Sequence, residues 1–164
     1  RALAYQSVPK RPRPVAARFT ARPSPHRCTI LSLVSFVFLN IALGIAFQIA
    51  DDLLDYQGDT AQTGKNVGDD FRERKLTLPV IKAVAQATDE ERSFWERTIE
   101  KGRQEDGDLD HALALMDKYN TLSRTRDDAL AWAEKAKDAV KKLPDYEIRG
   151  LLSDIADYVV ARLN

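Results

Sequence analysis

The spacing of apolar and polar positions along the chain predicts a series of helices. Residues Cys28 to Ala50 form a long apolar run that contains no charged side chain. Beyond it, apolar residues recur at intervals of three and four, which is typical of helices that bury one face. Strand-like alternation is not convincing anywhere in the chain. We therefore predict an all-α fold, with helices opened by Leu76–Pro79 and spanning 88–101, 109–119, 121–143 and 148–163.

The same pattern predicts which positions are buried and where the chain turns. The polar stretch from Gly58 to Asp70 contains Gly64 and Gly68 and is predicted to be a loop. The residues predicted to lie in the core are Trp95, Met116 and Trp132, and the buried side of the last helix is predicted to consist of Leu151, Leu152, Ile155 and Val159.

Residues 1–27 differ from the rest of the chain. They contain five of the seven prolines among several arginines, which disfavours regular helix, so we predict an irregular basic leader followed by a helical domain over 28–164. The leader is either without a role or an organelle-targeting segment. The run that follows, 28–50, is long enough to contact or span a membrane, but it continues into polar helix and also fits a buried helix.

Charge and cysteine content narrow the classes of function. The 25 basic and 25 acidic residues balance overall, but seven basic and no acidic residues precede Asp51. The remainder is therefore acidic, which argues against nucleic acid as the partner. An anionic substrate still fits if a divalent metal mediates the contact. Cys28 is the only cysteine, which favours a reducing compartment. We expect a cytoplasmic location, with a mitochondrial one as the alternative if the leader is a targeting segment.

Three aspartates, Asp51, Asp52 and Asp55, follow the apolar run and form the candidate site. On a helix, Gln48, either Asp51 or Asp52, and Asp55 share one face, at spacings of three, four and seven. Aspartate is a poor residue for the interior of a helix, and clustered carboxylates are costly unless a cation compensates them. Magnesium prefers such oxygen ligands. The alternative is a capping cluster or a solvated face, but capping does not explain all three residues within the body of a helix.

A second motif begins at Gly64 and ends at Lys75. Lys65 and Lys75 can each present an ammonium group to a diphosphate, and Asp70 can bind a metal-held water. Alone, this segment equally fits a solvated lysine-rich loop. It becomes a candidate diphosphate-binding segment because it follows the aspartate helix within a few residues.

Taken together, the motifs resemble the polyprenyl diphosphate synthases, and more narrowly those that make octaprenyl or decaprenyl chains. The resemblance begins near Ile41 and extends to the C-terminus, through 44–56, 63–70, 75–79 and 154–162. It implies a helical isoprenoid-synthase bundle around a central cavity. It also implies prenyl transfer from an allylic prenyl diphosphate to isopentenyl diphosphate, with Mg²⁺ as cofactor and association of chains through helices.

The resemblance also implies roles for individual residues. Asp51, Asp52 and Asp55 would bind metal, and Asp70 would assist them from the outer coordination shell. Lys65 and Lys75 would contact the allylic diphosphate. Gln48 would face the growing cation, which places it with Asp51 and Asp52 among the catalytic residues.

The family's first aspartate-rich motif has no counterpart before Asp51, where acidic residues are absent. We therefore expect a partial bundle that binds magnesium diphosphate by itself without turnover. Two alternatives remain. The chain is a non-catalytic helical subunit of a complete synthase, since uncovered apolar faces favour association, or it is a membrane-anchored or targeted remnant. The helices that set product length have no counterpart here.

Overall fold

The structure is a computed structural model, and it describes residues 25–57, 67–143, 145 and 147–163, with side chains at Ile30 and from Ser32 onward. Within these ranges every regular element is helical, which confirms the all-α prediction. Most of the predicted leader lies outside the described residues. The helices are α1 (Pro25–Gln57), α2 (Asp69–Arg72), α3 (Leu78–Val84), α4 (Asp89–Trp95), a π-helical segment (Glu96–Glu100), α5 (Asp108–Lys118), α6 (Thr121–Lys141) and α7 (Glu147–Ala161).

Helix α1 makes its most extensive contact with α6, and α7 packs against both. The buried contact is rich in alanine, and small side chains let helix axes approach closely. This packing fixes the rotation of α1 about its own axis and therefore the direction in which its polar residues project. The buried alanines of the contact are Ala42, Ala46, Ala50, Ala129, Ala133, Ala136 and Ala139.

A second core lies under the end of α1, where the short helices α2 to α5 meet. Phe71 and Trp95 pack edge to face there, with ring centroids 6.4 Å apart, and Met116 is fully buried beside them. Trp95 and Met116 are thus core residues, as predicted. Trp132 is only half-buried, at the edge of the contact between α1 and α6.

Glu91 connects α4 to the end of α5. Thr88 caps α4, and its N–H donates to Glu91 Oε2 at 2.8 Å while the Glu91 N–H donates back to the Thr88 hydroxyl at 3.3 Å. Lys118 Nζ and the Tyr119 hydroxyl donate to the same carboxylate at 2.7 and 2.6 Å. The hydrogen bond from Lys118 is the main reason why the pKa of Glu91 falls to about 2. This carboxylate stabilises the helix start and the tertiary contact together.

Three element boundaries differ from the sequence prediction. Helix α1 begins at Pro25, inside the predicted leader, because proline is tolerated in the first turn of a helix. Asp69 and Asp70 belong to α2 rather than to a loop, since Gly68 starts that helix at φ 81° and acidic residues suit a first turn. The segment predicted as one helix over 88–101 changes from α- to π-helical geometry at Glu96.

The buried side of α7 was predicted wrongly in part. Leu151 and Ile155 are 59% and 46% exposed, whereas Ala156 and Val159 are buried. Apolar residues cover more than half of the circumference of this helix, so periodicity alone fits several faces. Packing against α6 selects the face with the small Ala156, because it allows close contact. An exposed apolar face remains, formed by Ile148, Leu151, Ile155 and Tyr158.

Helix α1 meets the length and composition criteria for a membrane span over Ser32–Gln57, with a mean hydropathy of 2.2 in its most apolar 18 residues. A core helix of a globular protein can meet the same criteria, and one third of that window is buried here. Membrane contact through 28–50 therefore stays a prediction. The exposed apolar side chains of α1 are Ile30, Leu33, Val34, Phe36, Val37, Phe38, Ile41 and Phe47.

Candidate functional site

The second half of α1 carries the predicted polar face. Gln48 Nε2 donates to Asp52 Oδ1 at 2.8 Å, one helical turn away, so these two residues share a face as the spacing predicts. Ala50 and Leu53 are fully buried on the other side of the helix. The burial of that side holds the aspartate face away from the α1–α6 core.

Asp52 also contacts the start of α3. Its Oδ2 accepts a hydrogen bond from the Leu78 N–H at 3.3 Å, at a helix whose capping residue, Thr77, makes no capping bond with its side chain. The Thr77 hydroxyl instead lies 3.1 Å from the Tyr56 hydroxyl. Burial raises the pKa of Tyr56 to about 12, so this phenol stays neutral. Helix α1 therefore positions the first turn of α3 through two polar contacts.

Asp55 accepts hydrogen bonds from the start of α2, as Asp52 does from the start of α3. Its Oδ2 accepts from the Asp70 N–H at 3.0 Å, and its backbone carbonyl accepts from the Gly68 N–H at 2.9 Å. Burial raises the pKa of the Asp55 carboxyl, and the negative charges of Asp70 and Asp69 act in the same direction. Such a carboxylate gains most from a cation, because the cation would offset both the burial and the repulsion.

Lys75 is tied to the same cluster. Its Nζ lies 2.8 Å from Asp70 Oδ1 and 2.7 Å from Glu73 Oε2, and half of its side chain is exposed. The hydrogen bond to Asp70 is the largest cause of the raised pKa of Lys75, so the ammonium stays charged. The structure thus brings together Asp55, Asp70 and Lys75. Lys65 lies outside the described residues, and its place in the site stays a prediction.

Asp51 faces a residue that the sequence did not single out. Its Oδ1 lies 3.6 Å from Arg162, just beyond α7, and its side chain is 54% exposed. The Arg162 guanidinium also lies over the Phe47 ring, 5.6 Å from the centroid. No local spacing links positions 51 and 162, so this contact could be found only from the packing of α7 on α1.

The three aspartates suit magnesium as individual ligands rather than as a closed cage around the ion. Within the described ranges, no group of three or more acidic, histidine or cysteine side chains converges to hold a metal. Asp51, Asp52 and Asp55 each engage an N–H donor or a cation. Magnesium commonly takes one or two carboxylates and completes its shell with water and phosphate oxygens. The aspartates fit that use in donor type.

Known proteins are similar to this chain over most of its length. A family model described as polyprenyl synthetase matches residues 33–116, about half of the chain, including the aspartate face and Lys75. The octaprenyl diphosphate synthase of Escherichia coli is 42% identical over 120 residues, which are 73% of this chain and 37% of that protein. The octaprenyl diphosphate synthase of Haemophilus influenzae is 38% identical over 120 residues, 73% of this chain and 36% of that protein.

Solved structures are similar in both sequence and fold. A decaprenyl diphosphate synthase from Rhodobacter capsulatus is 58% identical with a TM-score of 0.75, over 82% of this chain and 42% of that one. A polyprenyl synthase from Caulobacter crescentus, complexed with calcium and isoprenyl diphosphate, is 40% identical with a TM-score of 0.70, over 80% of this chain and 40% of that one. The chain spans less than half of each relative. Sequence and helical fold agree, and the chain belongs to the polyprenyl synthetase family.

Proposed function

We propose that this chain serves the synthesis of a long-chain polyprenyl diphosphate, by prenyl transfer from an allylic diphosphate to isopentenyl diphosphate. Its own part would be to hold the magnesium-bound diphosphate. One observation carries the proposal: the carboxylate of Asp55 is joined through Asp70 to the ammonium of Lys75. Carboxylates for a metal and a cation for a phosphate therefore lie in one connected cluster.

The described residues suggest a division of labour. Asp51, Asp52 and Asp55 would supply the carboxylate oxygens for magnesium, which when bound would stabilise the negative charge of a departing diphosphate. Lys75, held by Asp70, would add a fixed positive charge at the diphosphate. Gln48 would present its amide oxygen towards the reacting hydrocarbon, since its Nε2 is engaged by Asp52.

The choice of magnesium and diphosphate rests on the coordination chemistry of the ion and on one similar solved structure. The Caulobacter crescentus protein is complexed with calcium and isoprenyl diphosphate, so a divalent ion and a diphosphate are the expected pair here as well. Magnesium is proposed because it commonly binds one or two carboxylates together with phosphate oxygens, rather than a closed cage of protein ligands.

The test is calorimetric binding of a non-hydrolysable farnesyl diphosphate analogue, with magnesium and with EDTA. The variants are Asp51→Asn/Asp55→Asn, which keeps an oxygen acceptor at each position, and Lys75→Gln. The matched control is Lys141→Gln, because Lys141 is also exposed and paired with an aspartate, Asp138, at 2.8 Å. We expect magnesium-dependent binding that weakens at least ~10-fold in the first two variants, with no change in the control, since each ligand to a bound phosphate or metal contributes on the order of 1–3 kcal/mol.

Two results would contradict the proposal. Binding that is equal in EDTA, or equal in the double asparagine variant, would show that the aspartates do not hold a metal. Absence of binding by a chain with native helical circular dichroism would show that this chain alone does not bind diphosphate.

A second candidate function is a non-catalytic helical subunit that associates with a complete synthase. The observation that favours it is the set of exposed apolar side chains on α1 and on α7, among them Val37, Ile41 and Leu151. Contiguous apolar surface of this kind marks association sites. Sedimentation equilibrium and co-purification with a full-length synthase test it, and a stable monomer that does not co-purify would exclude it. Partition into vesicles would favour the membrane alternative instead.

A further inference from the structure

A cavity of about 540 Å³ opens beside α4 and the π-helical segment. None of the residues that line it is one of the aspartates, glutamine or lysines of the candidate site. Its volume lies within the range of small-molecule sites in proteins, about 300–1,000 Å³. The cavity is therefore large enough for a compact organic ligand.

The inner surface of this cavity is apolar. Trp95 and Ile99 line it and are 3% and 8% exposed, and Val84 is half-buried beside them. The indole N–H of Trp95 is buried and has no acceptor among the described residues. Buried indole N–H groups usually find a partner. Because this nitrogen is closed off from solvent, a ligand in the cavity would lie against the carbon atoms of the indole rather than accept from the N–H.

Two arginines are among the residues that line the cavity. Arg74 and Arg92 both line the cavity, and neither makes an ion pair within the described ranges. Arg74 adopts the left-handed conformation, with φ 60°, which is uncommon for a residue other than glycine. Its Nη1 occupies the space above Gly102, where a Cβ would meet it at 2.5 Å. Arg92 Nε donates to the Ala87 carbonyl at 3.5 Å, but neither guanidinium is neutralised by a carboxylate within the described ranges, and such groups favour a carboxylate or phosphate oxygen.

The π-helical segment shapes one wall and narrows the choice of anion. Such segments are rare in proteins, and those that occur often lie at functional sites. This one brings Glu96 and Glu100 to the cavity along with Ile99. Glu96 is paired with Lys101 at 3.1 Å, which leaves the Glu100 carboxylate to repel a multiply charged anion such as diphosphate. The charges therefore favour a single negative charge on an apolar body.

We propose that this cavity binds a small amphipathic monocarboxylate. The apolar body lies against Trp95, Ile99 and Val84, and the carboxylate is held between Arg74 and Arg92. The site is separate from the aspartate face, and binding there does not depend on the proposed prenyl-transfer function.

The test follows the two tryptophan indole N–H resonances of the ¹⁵N-labelled chain during titration with octanoate, with octanol and inorganic pyrophosphate as neutral and multiply charged comparisons. A Trp132→Phe variant assigns the two resonances. We expect a saturable shift of the Trp95 resonance with octanoate, with at least ~10-fold weaker binding of the other two probes. Arg74→Gln/Arg92→Gln is expected to weaken octanoate binding ~10-fold or more. Arg103→Gln, an exposed arginine that does not line the cavity, is expected to leave it unchanged.

The proposal is overturned if the Trp95 resonance does not move in a folded chain at millimolar octanoate. It is also overturned if octanol binds as well as octanoate, or if the double arginine variant, with an unchanged spectrum in the absence of ligand, binds octanoate as tightly as the native chain. A shift confined to Trp132 would place the ligand on the exposed apolar surface rather than in the cavity, and would likewise refute the assignment.

Discussion

Asp55 is expected to stabilise the fold through its oxygen acceptor and to destabilise it through its charge, and two substitutions separate these effects. Asp55→Ala removes the acceptor of the Asp70 N–H, which is 3.0 Å away in a part-buried bond. Gly68, at the start of α2, provides no side chain to replace it. An N–H left without a partner costs about 1–3 kcal/mol when it is buried. Because this bond is part-buried and removing the charge is favourable, we expect a net loss of about 1 kcal/mol in the free energy of unfolding.

Asp55→Asn keeps an oxygen acceptor at the same position and removes the charge. The pKa of Asp55 is raised, with burial as its main cause. Between the usual pKa near 3.8 and the raised value, the native state therefore binds more protons than the unfolded state. The contribution of this group to the free energy of unfolding falls as pH rises through that window. We expect the asparagine variant to lack this decline and to equal or exceed the native chain in stability at neutral pH.

Urea unfolding followed by circular dichroism, from pH 3.5 to 7.5 and without magnesium, measures both effects. Added magnesium should then stabilise the native chain more than the asparagine variant, since a ligand that binds the folded state raises its stability. An alanine variant as stable as the native chain would refute the role of Asp55 in holding α2. An asparagine variant as unstable as the alanine one would refute the claim that the acceptor matters rather than the charge.

Three further substitutions test local features of the fold. Because the pKa of Glu91 is lowered, the stability that it contributes is present above the usual value of 4.5 and is lost as pH falls towards 2. Glu91→Gln should therefore lower the midpoint of urea unfolding at pH 7 and flatten this dependence of stability on pH. Gly68→Ala should lose about 1–3 kcal/mol, because φ is 81° and a Cβ would meet Leu109 Cδ1 at 2.4 Å. Gly150→Ala, in open helix surface, should gain up to about 1 kcal/mol in the same assay, and equal effects of the two alanine substitutions would contradict the steric argument.

The helical fold follows from periodicity wherever one face is clearly apolar, as in α5 and α6. The prediction for α7 was partly wrong at Leu151 and Ile155, since apolar residues surround much of that helix and only contact with α6 selects the buried side. The π-helical segment was also not predicted, because a change in hydrogen-bond register at Glu96 leaves no mark in the spacing of apolar residues.

The candidate site was predictable where it lies on one helix and not where it joins several. The bond from Gln48 to Asp52 follows from a spacing of four residues. The contacts from Asp55 to Asp70 and from Asp51 to Arg162 span 15 residues and more than 100 residues. Both require knowledge of how α2 and α7 pack on α1, which sequence patterns do not contain.

The aspartate face has a consequence for how the family's sequences can diverge. Asp52 and Asp55 supply hydrogen-bond acceptors for the first turns of α3 and α2, so selection for a folded chain would preserve an oxygen acceptor, aspartate or asparagine, at both positions even after loss of chemistry. Asp51 is half-exposed and caps no helix among the described residues, so its substitution would be tolerated earlier. In a lineage that has lost activity, we expect position 51 to change first, while positions 52 and 55 keep either aspartate or asparagine.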